Sequence, residues 1–106
     1  MGKGYSAPPE EVSLTQLAVA LAHIDAHVQA CIQELREWVR IPSISAGAQE
    51  DSAQALSRAA DFAAAQCQAL GLHTEKVQVS PGTNPLVVAR PATFDPGRPT
   101  VLVYGH

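Results

Sequence analysis

From Leu14 onward, apolar residues return at alternating steps of three and four: Leu14, Leu17, Leu21, Ile24, Val28, Cys31, Leu35 and Trp38. That spacing places all eight on one stripe of a helix. Ser13 or Thr15 can cap its start. Ile41-Pro42 ends it, because a proline disfavours helix in the residue before it. The pattern predicts a helix of about 26 residues, roughly 39 Å long at ~1.5 Å per residue. The same alternation is that of a coiled-coil seam, but the flanking positions carry little charge pairing.

A polar loop, "PSISAGAQED" (Pro42 to Asp51), leads to a second helix predicted from Ser52 to Leu70, with Asp51 as its cap. Its stripe is Ala53, Leu56, Ala60, Ala63, Cys67 and Leu70, mostly small side chains suited to lying close against a sheet. Gly71 follows where a left-handed residue closes a helix. The period then changes to two. "HTEKVQV" (His73 to Val79) reads as a half-buried strand, "SPGTN" (Ser80 to Asn84) as a turn, and "LVVAR" (Leu86 to Arg90) as a second strand. After the proline-rich "PATFDPGRP", Thr100 to Tyr104 reads as a third strand.

The predicted order is therefore α-α-β-β-β. Val101, Leu102, Val103 and Tyr104 offer apolar groups to both faces, which marks a central strand covered by helices on each side. Two helices and two other strands cannot supply that cover. The expectation is an α/β fold with a mixed, mainly parallel sheet, of which residues 11–106 form the N-terminal portion. Residues 1–10, with glycine, serine and Pro8-Pro9, read as a mobile tail.

Composition narrows the class. The 106 residues are 46% hydrophobic and 16% charged, too apolar for a disordered chain, and no apolar run approaches the roughly 20 residues of a membrane span. A net charge of −3 without a basic patch argues against nucleic acid and anionic membrane surfaces as partners. "MGKGYS" fits a myristoylation pattern too short to carry weight, and "LAVALA" follows acidic residues where a signal peptide would be basic. Cys31 and Cys67 each fall on an apolar helical stripe, as small hydrophobes do. The expectation is a reduced, cytoplasmic protein.

Ligand sites in open α/β sheets form at the carboxyl ends of strands, where Tyr104-Gly105-His106 is expected to lie. Gly105 lets the backbone turn away, and a neutral imidazole is a good nitrogen ligand for zinc. A lone histidine is more commonly structural or solvent-exposed, and spacing alone leaves both readings open. "HIDAH" puts His23 and His27 one helical turn apart, a chelating spacing. It lacks the HExxH glutamate and suits a solvated face. His73 is expected at an exposed strand start, and Ser43 and Ser45 in a loop with no serine-hydrolase elbow. Trp38 is read as packing, with a ring edge in reach of a hydrogen-bond partner. Glu10-Glu11 and Glu50-Asp51 form no paired-carboxylate site.

"ELREWVRIPSIS", "NPLVVAR" and "RPTVLVYGH", in that order over Glu34 to His106, resemble the start of a zinc-dependent metallopeptidase family. That family includes carnosinase-type dipeptidases, aminoacylase, succinyl-diaminopimelate desuccinylase and glutamate carboxypeptidases. The similarity is greatest to the dipeptidase branch, where a hydrophobic strand ends in Tyr-Gly-His. The resemblance implies a homodimeric, two-zinc hydrolase of dipeptides or N-acyl amino acids, with His106 as one zinc ligand. It also implies that an aspartate two residues later bridges both metals and that a glutamate further on is the general base. Two such ions polarise the scissile carbonyl and lower the pKa of a bound water. On this reading the chain stops at its first metal ligand and is itself inactive. The alternative from another class is a non-catalytic helical interaction module whose long first helix pairs with a partner.

Overall fold

The structure is a computed structural model that describes residues 13–46 and 52–106. The expected tail at 1–10, the Asp51 cap and the Glu10-Glu11 and Glu50-Asp51 pairs lie outside the described residues. The elements are α1 (Leu14–Val39), α2 (Ser52–Ala69), β1 (His73–Val77) and β2 (Leu86–Arg90). The chain divides into two units, Val28–Thr93 and Met1–His27 with Phe94–His106, and α1 runs through both.

Local chemistry sets the ends of α1. Of the two candidate caps, Ser13 is the one used. Its Oγ accepts from the Gln16 backbone N–H at 3.1 Å, and Gln16 Oε1 accepts from the Ser13 N–H at 3.3 Å. This reciprocal capping box satisfies two backbone donors that the first turn would otherwise leave open. At the other end, Arg40 N–H still reaches the Arg36 carbonyl at 3.1 Å, and Ile41 N–H tightens onto Trp38 at 3.1 Å. Pro42 then stops the helix. The helix holds 26 residues, none of them buried.

α2 ends in a Schellman motif. Leu72 N–H bonds the Cys67 carbonyl at 3.2 Å and Gly71 N–H bonds that of Gln68 at 2.9 Å. Gly71 has φ 77°, the left-handed value the motif requires. Ala55, 3% exposed, is the buried hydrophobic residue among those described. It lies off the stripe expected from the sequence, whose members Ala53 and Leu70 are exposed. Two neighbours explain the shift. The strands pack on one side of α2, and on another the Trp38 ring stacks on Phe62 with centroids 6.1 Å apart.

β1 and β2 pair antiparallel, with His73 opposite Arg90 and Val77 opposite Leu86. The expected mainly parallel sheet is not what forms. A parallel pair needs a crossover of a dozen or more residues, and segment 78–85 is too short for one. It makes a turn instead. Thr83 N–H bonds the Ser80 carbonyl at 3.1 Å. Pro81 holds the second position and Gly82, at φ 81°, the third, the type II arrangement. Thr83 Oγ1 also donates to the Ser80 carbonyl at 2.7 Å.

The third expected strand does not form: Thr100 to His106 has no regular secondary structure. Val101, Leu102, Val103 and Tyr104 are 81%, 91%, 86% and 78% exposed. High β-propensity is not enough, because a strand exists only where a neighbour accepts its ladder of hydrogen bonds. The described sheet has two strands, β1 and β2.

Candidate functional site

His106 follows Gly105 at the end of the exposed apolar segment, and its ring stands 6.3 Å from that of Tyr104 at 29°. Because residues 100–104 are not a strand, no strand end fixes where the imidazole points. A Cβ at Gly105 would meet nothing within 4 Å, so close packing does not force the glycine there. Among the described residues, no three or more His, Cys, Asp or Glu side chains converge as a metal-holding group. The imidazole suits zinc as a donor, but the described residues do not by themselves make a zinc site.

The other candidates fall as follows. His73 opens β1 and is exposed. Ser43 and Ser45 lie in the exposed stretch after α1. Cys31 is an exposed free thiol and Cys67 a half-buried one. Trp38 donates its indole N–H to the Ala59 carbonyl at 3.1 Å, so it is a packing residue with a satisfied polar edge. His23 and His27 lie side by side on α1, their ring centroids 4.1 Å apart.

Sequence reasoning did not anticipate an open cleft of about 490 Å³ between α2 and the Ser80–Thr83 turn, lined by Leu56, Ser57, Lys76, Gln78 and Thr83. Lys76, Gln78 and Thr83 among its polar groups are engaged locally. Lys76 is paired with Asp61, and Gln78 Nε2 donates to the Thr83 carbonyl at 2.8 Å. Arg90 likewise pairs with Glu75 on the neighbouring strand. The i, i+2 alternation that puts Thr74 and Lys76 on one face of β1 was the signal for the Lys76–Asp61 pair, but only the tertiary packing of α2 identifies the partner.

The chain is 31% identical over 109 residues to a Beta-Ala-His dipeptidase of Rattus norvegicus, a match covering 94% of this chain and 21% of the relative. The chain therefore spans about a fifth of that protein's length. No protein-family model matches the chain, and no solved structure matches it significantly. The similarity is to a peptidase, and it runs through nearly the whole of this sequence. No helix among the described residues is long and apolar enough to cross a membrane.

Proposed function

We propose that this chain is the N-terminal portion of a cytoplasmic, two-zinc peptidase or amidohydrolase of dipeptidase type, acting on a dipeptide or an N-acyl amino acid. The observation that carries the reading is the likeness of 94% of the chain to a dipeptidase. His106 is the zinc ligand this portion contributes, presented by Tyr104-Gly105. The described residues supply one imidazole and no converging group, so no catalytic step is assigned to them. Their part is to carry His106 to a site completed by other residues of a homodimeric enzyme.

The large exposed apolar surface supports the same reading. Leu14, Leu21, Ile24 and Leu35 on α1, and Val101 to Tyr104, are exposed. A larger α/β domain would bury them, at about 1.5–3 kcal/mol for each fully covered aliphatic side chain. The exposed stripe of α1 equally favours a second reading, a helical interaction module without catalysis.

One experiment separates the two. The full product of the gene is assayed for dipeptide hydrolysis and zinc content, unchanged and as His106→Ala. About two zinc ions per chain, with hydrolysis and metal content both lowered in the variant, is the expected result. An active, fully loaded His106→Ala protein would overturn the role of His106. A gene product that holds no zinc and hydrolyses no dipeptide would favour the interaction module. The 106-residue chain alone is expected to show no chelator-sensitive turnover.

A further inference from the structure

The geometry points to a second metal site, distinct from His106: we propose that His23 and His27 chelate one first-row transition cation on the surface of α1. The two residues lie four apart on a continuous helix, and both are exposed. Residues at that spacing occupy the same face, one turn above the other. The structure adds two facts that spacing does not contain.

The first is the state of His27. Its Nδ1 lies 2.7 Å from the His23 carbonyl oxygen. A carbonyl oxygen only accepts, so Nδ1 carries the hydrogen and the lone pair is on Nε2. The carbonyl can accept this bond on its second lone pair while serving the helix with the first. A backbone carbonyl holding one ring nitrogen is the usual support of a metal-binding histidine, because it sets both tautomer and ring orientation. Here that support is in place in the protein alone.

The second is the distance between the rings. Their centroids are 4.1 Å apart at an interplanar angle of 26°. Two nitrogens that each bind one zinc at about 2.0–2.1 Å stand no more than ~4.2 Å apart. The rings are thus immediate neighbours, close enough for a nitrogen of each to reach one ion once a side chain turns. Near-parallel rings aim their lone pairs side by side, so His23 must turn about its own side-chain torsions to converge on the ion. An exposed side chain makes that turn at little cost.

Two imidazoles leave the remaining coordination positions to water. The site therefore selects by intrinsic affinity, which rises from cobalt through nickel to copper and falls again at zinc. Asp25, between the two histidines in sequence, is turned about 200° around the helix from His23 and takes no part. The site does not depend on the dipeptidase reading, since it uses neither His106 nor any residue of the similar strand-end motif.

The test is isothermal titration of the whole chain with Cu²⁺, Ni²⁺ and Zn²⁺, without ligand buffer. One ion per chain is expected, with Cu²⁺ tightest. His23→Ala and His27→Ala should each lower affinity by at least about tenfold, in the range that even outer-shell changes cause at metal sites. The double variant Asp25→His with His27→Ala keeps two histidines but turns one about 200° off the shared face, and it should lose affinity equally. Far-UV circular dichroism checks that each variant keeps its helix. His106→Ala and Cys31→Ser should bind as the unchanged chain does. Retained affinity in the rotated variant, loss on His106→Ala or Cys31→Ser, or half an ion per chain with dimer formation would overturn the one-chain chelate.

Discussion

Trp38 of α1 donates its indole N–H to the backbone carbonyl of Ala59 in α2, at 3.1 Å across 21 residues of sequence. The same ring stacks on Phe62 at an interplanar angle of 15°. One side chain thus joins the two helices by a polar edge and an apolar face. Ala59 and Phe62 lie three apart, so they present adjacent positions of α2 to it.

Replacing that ring should separate its two contributions. Trp38→Phe removes the N–H and is expected to cost about 0.5–1.5 kcal/mol, the net worth of one hydrogen bond. Trp38→Ala also removes the stacking, worth a further ~0.5–1.5 kcal/mol beyond buried area. Urea denaturation followed by circular dichroism would read both. Equal stability of the two variants would show that the ring face contributes nothing.

Gly71 permits a backbone test with little steric complication. A Cβ there meets nothing within 4 Å, so Gly71→Ala changes only the cost of holding φ at 77°. A left-handed L-residue costs roughly 1–2 kcal/mol, and Asn less than Ala. The expected order of stability is Gly above Asn above Ala. Gly71→Ala melting at the unchanged temperature would mean that the Schellman ending does not limit stability.

Ser13→Ala should fray the start of α1. It deletes the acceptor for the Gln16 N–H, at about 0.5–2 kcal/mol for a capping side chain. Ser13→Asp retains an acceptor and should restore helicity. Amide exchange at Gln16 is the direct measurement, expected faster in Ser13→Ala and near the original rate in Ser13→Asp.

The Arg90–Glu75 pair is exposed on both sides. Such pairs contribute about 0–1 kcal/mol, because water and salt screen them. Glu75→Gln is therefore expected to lower the melting temperature by little and to remove part of any salt dependence. A loss of several degrees would indicate a stronger coupling across the β1–β2 ladder.

Val101 to Tyr104 should exchange their amides almost without protection in the monomer, since the segment has no ladder and high exposure. A short, apolar, uncharged stretch with unpaired backbone is also prone to pair with another copy. Concentration-dependent light scattering is expected, and Leu102→Lys should reduce it. Strong protection in dilute monomer would contradict an unpaired segment.

Much of the local structure was legible in the sequence, because local interactions decide it. The three-and-four spacing from Leu14, the serine before it and Pro42 after it gave a helix with both ends nearly in place, Leu14–Val39. Gly71 announced the end of α2, and Pro81-Gly82 the turn between the strands. β2 spans Leu86–Arg90 as the apolar run predicts. His106 was a different matter: its residue type and expected strand-end position left a ligand and an ordinary exposed histidine both open, and the resemblance to a peptidase family favoured the ligand.

Tertiary structure alone decided the rest. The identity of Ala55 as the buried residue and the partner of Trp38 each depend on residues distant in sequence. Thr100 to Tyr104 shows the difference most directly. Its pattern states a preference for extended backbone, and a strand forms only when another segment supplies the matching donors and acceptors. The geometry of a metal site obeys the same rule. A ligand's chemistry belongs to its residue, but convergence on one ion belongs to the packing that brings its companions within about 2 Å of that ion.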